Sequence, residues 1–138
     1  MYKQIVVGYD GSDRALRAVE EAREMANAFG ARMHVVTAIR KNEIHTFGTG
    51  SDRRVMTDAE IAHGQLDELS RDMGHVDVST AVVEGTPAAQ LVKEAKTVDA
   101  DVIVVGNKNV QGLSSVLGSV AKDVAHSAPC AVLIAKTA

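Results

Sequence analysis

Two apolar periodicities alternate along this 138-residue chain, and few fold classes satisfy that alternation. Short, nearly continuous apolar runs such as Gln4–Tyr9, "QIVVGY", suit strands covered on both faces. Between them, apolar residues recur every three or four positions, the spacing of a helix with one buried stripe. Leu16, Val19, Ala22, Ala26 and Phe29 form such a stripe over Asp13–Phe29. Ser12 or Asp13 can cap its start, and Gly30 sits where a helix C-terminal glycine belongs. Arg32–Ala38 reads as the second strand. Arg40–Ser51, with Gly48 and Gly50 and no apolar period, reads as a mobile loop.

Further on, Val55, Ala59, Ala62, Leu66, Leu69 and Met73 mark a second helix ended by Gly74. Val76, Val78, Thr80 and Val82 alternate as a third strand. Thr86 then caps a third helix with Pro87 at its first position, where the missing N–H costs nothing. Leu91, Val92, Ala95 and Val98 face the core from that helix. "DVIVVG" is the fourth strand, a helix with Val120 and Val124 follows, and "AVLIAK" is the fifth strand. Strands alternating with helices in this way predict an α/β fold. Its sheet is mostly parallel, with helices on both faces and right-handed crossovers. The length fits one domain spanning residues 1–138.

Composition narrows the function. A net charge of −3 and only 3% aromatic residues disfavour nucleic acid as a partner. No apolar run approaches the ~20 residues of a membrane-spanning helix. "MYKQIVVGYDG" lacks the layout of a signal peptide, so a cytoplasmic protein is expected. The single Cys130 has no partner for an internal disulfide, which fits a reducing compartment. Between Pro129 and Ala131, it reads as a small buried hydrophobe. His34, His45, His63, His75 and His126 show no metal-ligand spacing and read as structural or surface residues, so no metal site is expected.

Parallel sheets bind ligands beyond the carboxyl ends of their strands, where strand order reverses. Two strand exits have suitable chemistry. Strand 1 leaves through "GYDGSD", which sets Asp10 beside Gly11 and a helix start. Strand 4 leaves through Gly106 into "GNKNVQGLSSVLGS", rich in glycine, serine and asparagine. If these strands are neighbours, Asp10 faces that loop across a crevice. A carboxylate there accepts hydrogen bonds from ribose hydroxyls, and the helix start near Gly118 and Ser119 attracts phosphate. Lys108 adds a positive charge, and glycines let the backbone approach an anion. The P-loop and dinucleotide-binding glycine patterns are both absent.

These residues resemble the universal stress protein family along the whole chain. The resemblance rests on "IVVGYDGSDRALRAVEEA", "VVEGTPAAQLVKEA", "ADVIVVGNKN" with the residues up to 120, and "VAHSAPCAVLIAKT". It implies a Rossmann-like sheet of five parallel strands in the order 3-2-1-4-5, with strands 1 and 4 adjacent. It implies ATP, alone or with Mg, as the ligand, with cyclic AMP or AMP as the alternative. Asp10 would bind ribose, the backbone near Gly8, Tyr9 and Ala38 would frame adenine, and Val120 would support the phosphate end of the helix. The family's nucleotide-binding branch carries Gly-x2-Gly-x9-Gly-[Ser/Thr]. Gly106 matches its first glycine and Gly118-Ser119 its last pair. Asn109 stands at the second glycine, with only eight residues between it and Gly118, and Asn is the non-glycine residue that best tolerates left-handed backbone. Gly112 offers a way to absorb the shortening.

The resemblance also implies a homodimer through the strand 5 edge, which would cover an apolar edge strand. No residue has the setting of a committed catalyst, so at most slow ATP hydrolysis is expected. The leading expectation is an adenine-nucleotide-binding stress-response regulator. A nucleotide-free protein–protein interaction module of the same family stands beside it.

Overall fold

Two central strands of the sheet are apolar at consecutive positions because both of their faces are covered. On β1 (Gln4–Gly8), Ile5 and Val7 join one core cluster and Val6 the other. On β6 (Val102–Gly106), Val102 and Val104 face the first cluster, and Ile103 and Val105 face the second. This is the side-chain alternation of a strand, with apolar neighbours on both sides. The computed structural model describes residues 2–107 and 118–136.

The elements follow in chain order. After β1 come α1 (Asp13–Phe29) and β2 (Arg32–Ile39). A short antiparallel hairpin, β3 (Ile44–Phe47) and β4 (Arg54–Thr57), leads to α2 (Asp58–Arg71) and β5 (Asp77–Glu84). Then come α3 (Pro87–Thr97), β6, α4 (Ser119–Ser127) and β7 (Ala131–Ala135). The main sheet is parallel, in the order β5-β2-β1-β6-β7. Counted without the hairpin, this is the order 3-2-1-4-5. Ala18, Val19 and Ala22 of α1 and Leu66 and Leu69 of α2 cover one face. Leu91 and Ala95 of α3 and Ala121 and Val124 of α4 cover the other.

Local chemistry sets the helix ends. The Ser12 hydroxyl accepts the Ala15 N–H at 3.1 Å, and Gly30 ends α1 at φ 64°, in the left-handed region that favours glycine. Thr86 and Pro87 begin α3 as the sequence suggests, although the Thr86 side chain makes no capping bond. Among the described residues, no helix is long and apolar enough to cross a membrane.

Three expectations need correction. Residues 40–51 are not simply a loop, because Ile44–Phe47 pairs with Arg54–Thr57 as a hairpin. Val55 belongs to β4 and is 54% exposed, so it is no part of the α2 stripe. The helix starts three residues later, where Thr57 and Glu60 form a reciprocal capping box. Phe29 is 56% exposed rather than core, resting edge-on against Tyr2 with ring centres 5.2 Å apart.

Candidate functional site

The strand order reverses between β1 and β6: the chain leaves β1 toward β2 and returns on its other side to form β6 and β7. Among the described residues, no crossover helix fills the space above this junction, and a crevice opens beyond the strand ends. Its volume is about 180 Å³. Gly8, Tyr9 and Asp10 line it from the exit of β1, and Ala38 from the end of β2. Gly106 lines it from β6, and Gly118, Ser119 and Val120 from the start of α4. Lys108, Asn109 and Gly112 lie outside the described residues.

Hydrogen bonds fix the β1 wall. The Tyr9 N–H donates to the Val36 carbonyl at 2.9 Å, and the Thr37 hydroxyl donates to the Tyr9 carbonyl at 2.7 Å. The next residues turn sharply. Gly11 has φ 84°, and a Cβ there would meet the Gln65 amide at 3.0 Å, so glycine suits both the backbone and the space. The Asp10 Oδ1 accepts the Ser12 N–H at 2.9 Å and the Ser12 hydroxyl at 2.5 Å. Both bonds fall on one carboxylate oxygen, and the group is exposed at the crevice rim. The carboxylate therefore shapes the turn through one oxygen while the residue stays exposed. Partial burial, then the charges of Glu68, Asp10 and Asp13, push the Tyr9 phenol above its ordinary pKa. It remains a neutral hydroxyl near pH 7.

Val36, Leu91 and Val105 supply an apolar floor. Gly8 lies so close to this floor that a Cβ would meet Leu91 Cδ1 at 3.1 Å. The α4 side is polar in a different way. Gly118 is the N-cap and has no side chain, so among the described residues no side-chain capping bond is made to the first-turn N–H groups of α4. Unsatisfied N–H groups and the positive end of the helix dipole together attract an anion. The arrangement thus offers an apolar slot for a flat ring, a carboxylate for hydroxyl donors and a helix terminus for a phosphate.

Two residues in this region were not singled out from sequence. Arg14, in the first turn of α1, is the one cation among the described residues lining the crevice. Asn107 holds the far wall together. Its backbone N–H donates to the Ala135 carbonyl at 3.1 Å, and its side-chain oxygen accepts the Gly118 N–H at 2.8 Å. One residue thereby ties the end of β6 to both β7 and the start of α4. Arg14 follows the "DGSD" turn by one position, which was a usable signal; the fold-back of Asn107 over eleven residues was not.

Other polar groups have structural roles. His34 is buried, with Nδ1 2.7 Å from the Ser79 hydroxyl and Nε2 2.9 Å from Glu94. It joins β2, β5 and α3 at the face opposite α1. Cys130 packs against the second core cluster. Burial and the nearby Asp101 raise its thiol pKa, against a lowering bond from the Ile103 backbone. A protonated, half-buried thiol is a poor nucleophile.

A profile of the universal stress protein family matches residues 1–136. The chain belongs to the universal stress protein family. It is 32% identical over 150 residues to a universal stress protein of Mycobacterium tuberculosis, covering 99% of this chain and 97% of the relative. A Thermus aquaticus universal stress protein is 31% identical over 137 residues, covering 99% of this chain and 100% of the relative. Among solved structures, a universal stress protein in complex with cAMP superposes with a TM-score of 0.74 at 32% identity, covering 96% of this chain and 95% of that one. The Archaeoglobus fulgidus universal stress protein in complex with dAMP gives 0.67 at 28% identity, covering 96% and 97%. This universal stress protein therefore shares its fold with relatives that hold adenine nucleotides.

Proposed function

We propose that this universal stress protein is a cytoplasmic regulator that binds an adenine nucleotide, foremost ATP, in the crevice between β1 and β6. One observation carries the reading: Asp10 and the N-terminus of α4, which has no side-chain cap among the described residues, line one crevice with apolar walls at the sheet's reversal point. Adenine fits against Val36, Ala38 and Val105, framed by the backbone at Gly8 and Tyr9. The Asp10 carboxylate accepts the ribose hydroxyls. The phosphates meet the first-turn N–H groups of Ser119 and Val120, with Gly106 allowing close approach. Lys108 and Asn109, together with Mg where it accompanies ATP, belong to the phosphate end of this reading. Arg14 adds a cation at the rim.

AMP or cyclic AMP is the alternative ligand, and a specific contact favours it. Asn107 already holds the Gly118 N–H, which leaves the α4 terminus fewer donors for a long phosphate chain. The two nucleotide complexes among the similar structures contain cAMP and dAMP. Neither ligand requires turnover, and the role proposed is binding rather than hydrolysis. The protein further acts as a homodimer through β7, an edge strand whose Val132, Leu133 and Ile134 are only half-buried. A second copy would cover this apolar edge.

Titration calorimetry with ATP, ADP, AMP and cyclic AMP tests the proposal. Saturable binding of one of them supports it and ranks the phosphate requirement. If none binds at millimolar concentration, the nucleotide reading fails and a nucleotide-free interaction module takes its place.

A further inference from the structure

The hairpin brings together three side chains that the nucleotide crevice does not use. Glu43, His45 and Asp58 each offer one metal-ligating atom, and these atoms lie within 4.8 Å of one another. Backbone geometry explains the convergence. His45 lies on β3 and Glu43 immediately precedes that strand, two positions away, so an extended backbone there puts their side chains on one face. Ile44 pairs with Thr57 in the antiparallel register, so the next pair outward is Glu43 with Asp58. Asp58 closes that pair and also begins α2. Its N–H donates to the Glu43 carbonyl at 2.9 Å, while its own carbonyl turns into the helix. The Asp58 side chain takes over the missing rung, with Oδ2 accepting the Glu43 N–H at 2.8 Å. That bond aims Oδ1 at His45, whose Nε2–H donates to it at 2.7 Å.

The electrostatics of this corner are one-sided. Among the described residues, no lysine or arginine pairs with Glu43 or Asp58, and His45 is the only basic partner of Asp58. Two carboxylates and an imidazole thus converge with no fixed cation between them.

We propose that Glu43, His45 and Asp58 form a binding site for a first-row divalent transition metal, with zinc as the representative. The donor set selects the class. Imidazole nitrogen suits zinc and its neighbours, whereas calcium and magnesium favour shells made of oxygen. Ligand bonds near ~2.0–2.2 Å place adjacent donors roughly 3 Å apart. The His45–Asp58 separation of 2.7 Å is already close to that. Glu43 is exposed and closes the remaining distance by rotating its side chain. Metal replaces the proton on His45 Nε2, which passes through solvent to Nδ1 when the ring is neutral. Three protein ligands leave a coordination position for water. Bound metal also fastens the hairpin to α2, and a two-stranded hairpin is marginal without such support.

Zinc chloride titrated into the chelator-treated full chain tests the site, with calorimetry and a metal indicator as readouts. One saturable equivalent at micromolar concentration is expected. His45→Ala abolishes it, Glu43→Gln weakens it about tenfold, and His63→Ala on exposed α2 leaves it intact. Thermal melts without metal separate lost ligation from lost folding; should His45→Ala unfold, Glu43→Gln carries the test. No saturable uptake, or uptake that survives both His45→Ala and Glu43→Gln, overturns the proposal. So does equal loss in His63→Ala.

Discussion

Asp10 has one observed role, in the turn, and one proposed role, toward ribose, and the two would respond differently to mutation. Its Oδ1 braces the turn through Ser12, while the exposed carboxylate is assigned to ribose. Replacement by alanine leaves the Ser12 hydroxyl still capping α1 through the Ala15 N–H. Asp10→Ala is therefore expected to keep the thermal midpoint nearly unchanged and to weaken nucleotide binding about tenfold or more, the range of a lost hydrogen bond to a charged group. Calorimetry on the variant checks both halves. Asn107 shows the reverse balance. Asn107→Ala leaves the Gly118 N–H without its acceptor and should cost about 1–2 kcal/mol of stability, measured by urea unfolding. Asp10 and Gly118 were legible in the sequence because strand exits beside glycines are where parallel sheets hold ligands. Asn107 was not, since nothing local tells which polar side chain will fold back across a loop.

At the scale of elements, periodicity located the four described helices and the five strands of the main sheet, because each has an apolar face to bury. The β3–β4 hairpin escaped for the same reason. Its residues are largely exposed, with Ile44 at 70% and Val55 at 54%, so no buried stripe marks its strands. The Thr57–Glu60 capping box was nonetheless visible as "TDAE" and would have set the start of α2 correctly. The junction of β1 with β6 carries a pH-dependent clasp. Asp101, just before β6, accepts the N–H groups of Lys3 at 2.7 Å and Gln4 at 3.0 Å through one oxygen. Those backbone bonds hold its carboxyl below the usual aspartate range. A depressed folded-state pKa means that the contribution is full above the unfolded value of about 3.9 and is lost as pH falls through the folded value. Asp101→Asn should thus lower the melting temperature at neutral pH and narrow its difference from the wild type below about pH 4. A gap between the two melting curves that persists in acid would contradict this assignment.

At the scale of the whole molecule, the described residues form a sheet with two cores and a crevice at the point where strand order reverses. Helices cover both faces, and the crevice lies where the connections diverge. The sequence order of strands and helices was enough to predict that such a crevice exists. Family resemblance, rather than periodicity, supplied which strands border it. Assembly is a property of this scale as well. Sedimentation velocity should show a dimer whose population falls on dilution; a monomer at every concentration would remove β7 as an interface. The account depends most on where the nucleotide sits, and amide chemical shifts report that directly. With ATP or cyclic AMP added to the isotopically labelled protein, the largest changes should fall on Gly8, Tyr9, Asp10, Gly106 and Gly118–Ala121, with the β3–β4 hairpin and β5 unmoved. Saturable changes centred elsewhere, or none at millimolar nucleotide, would contradict the account.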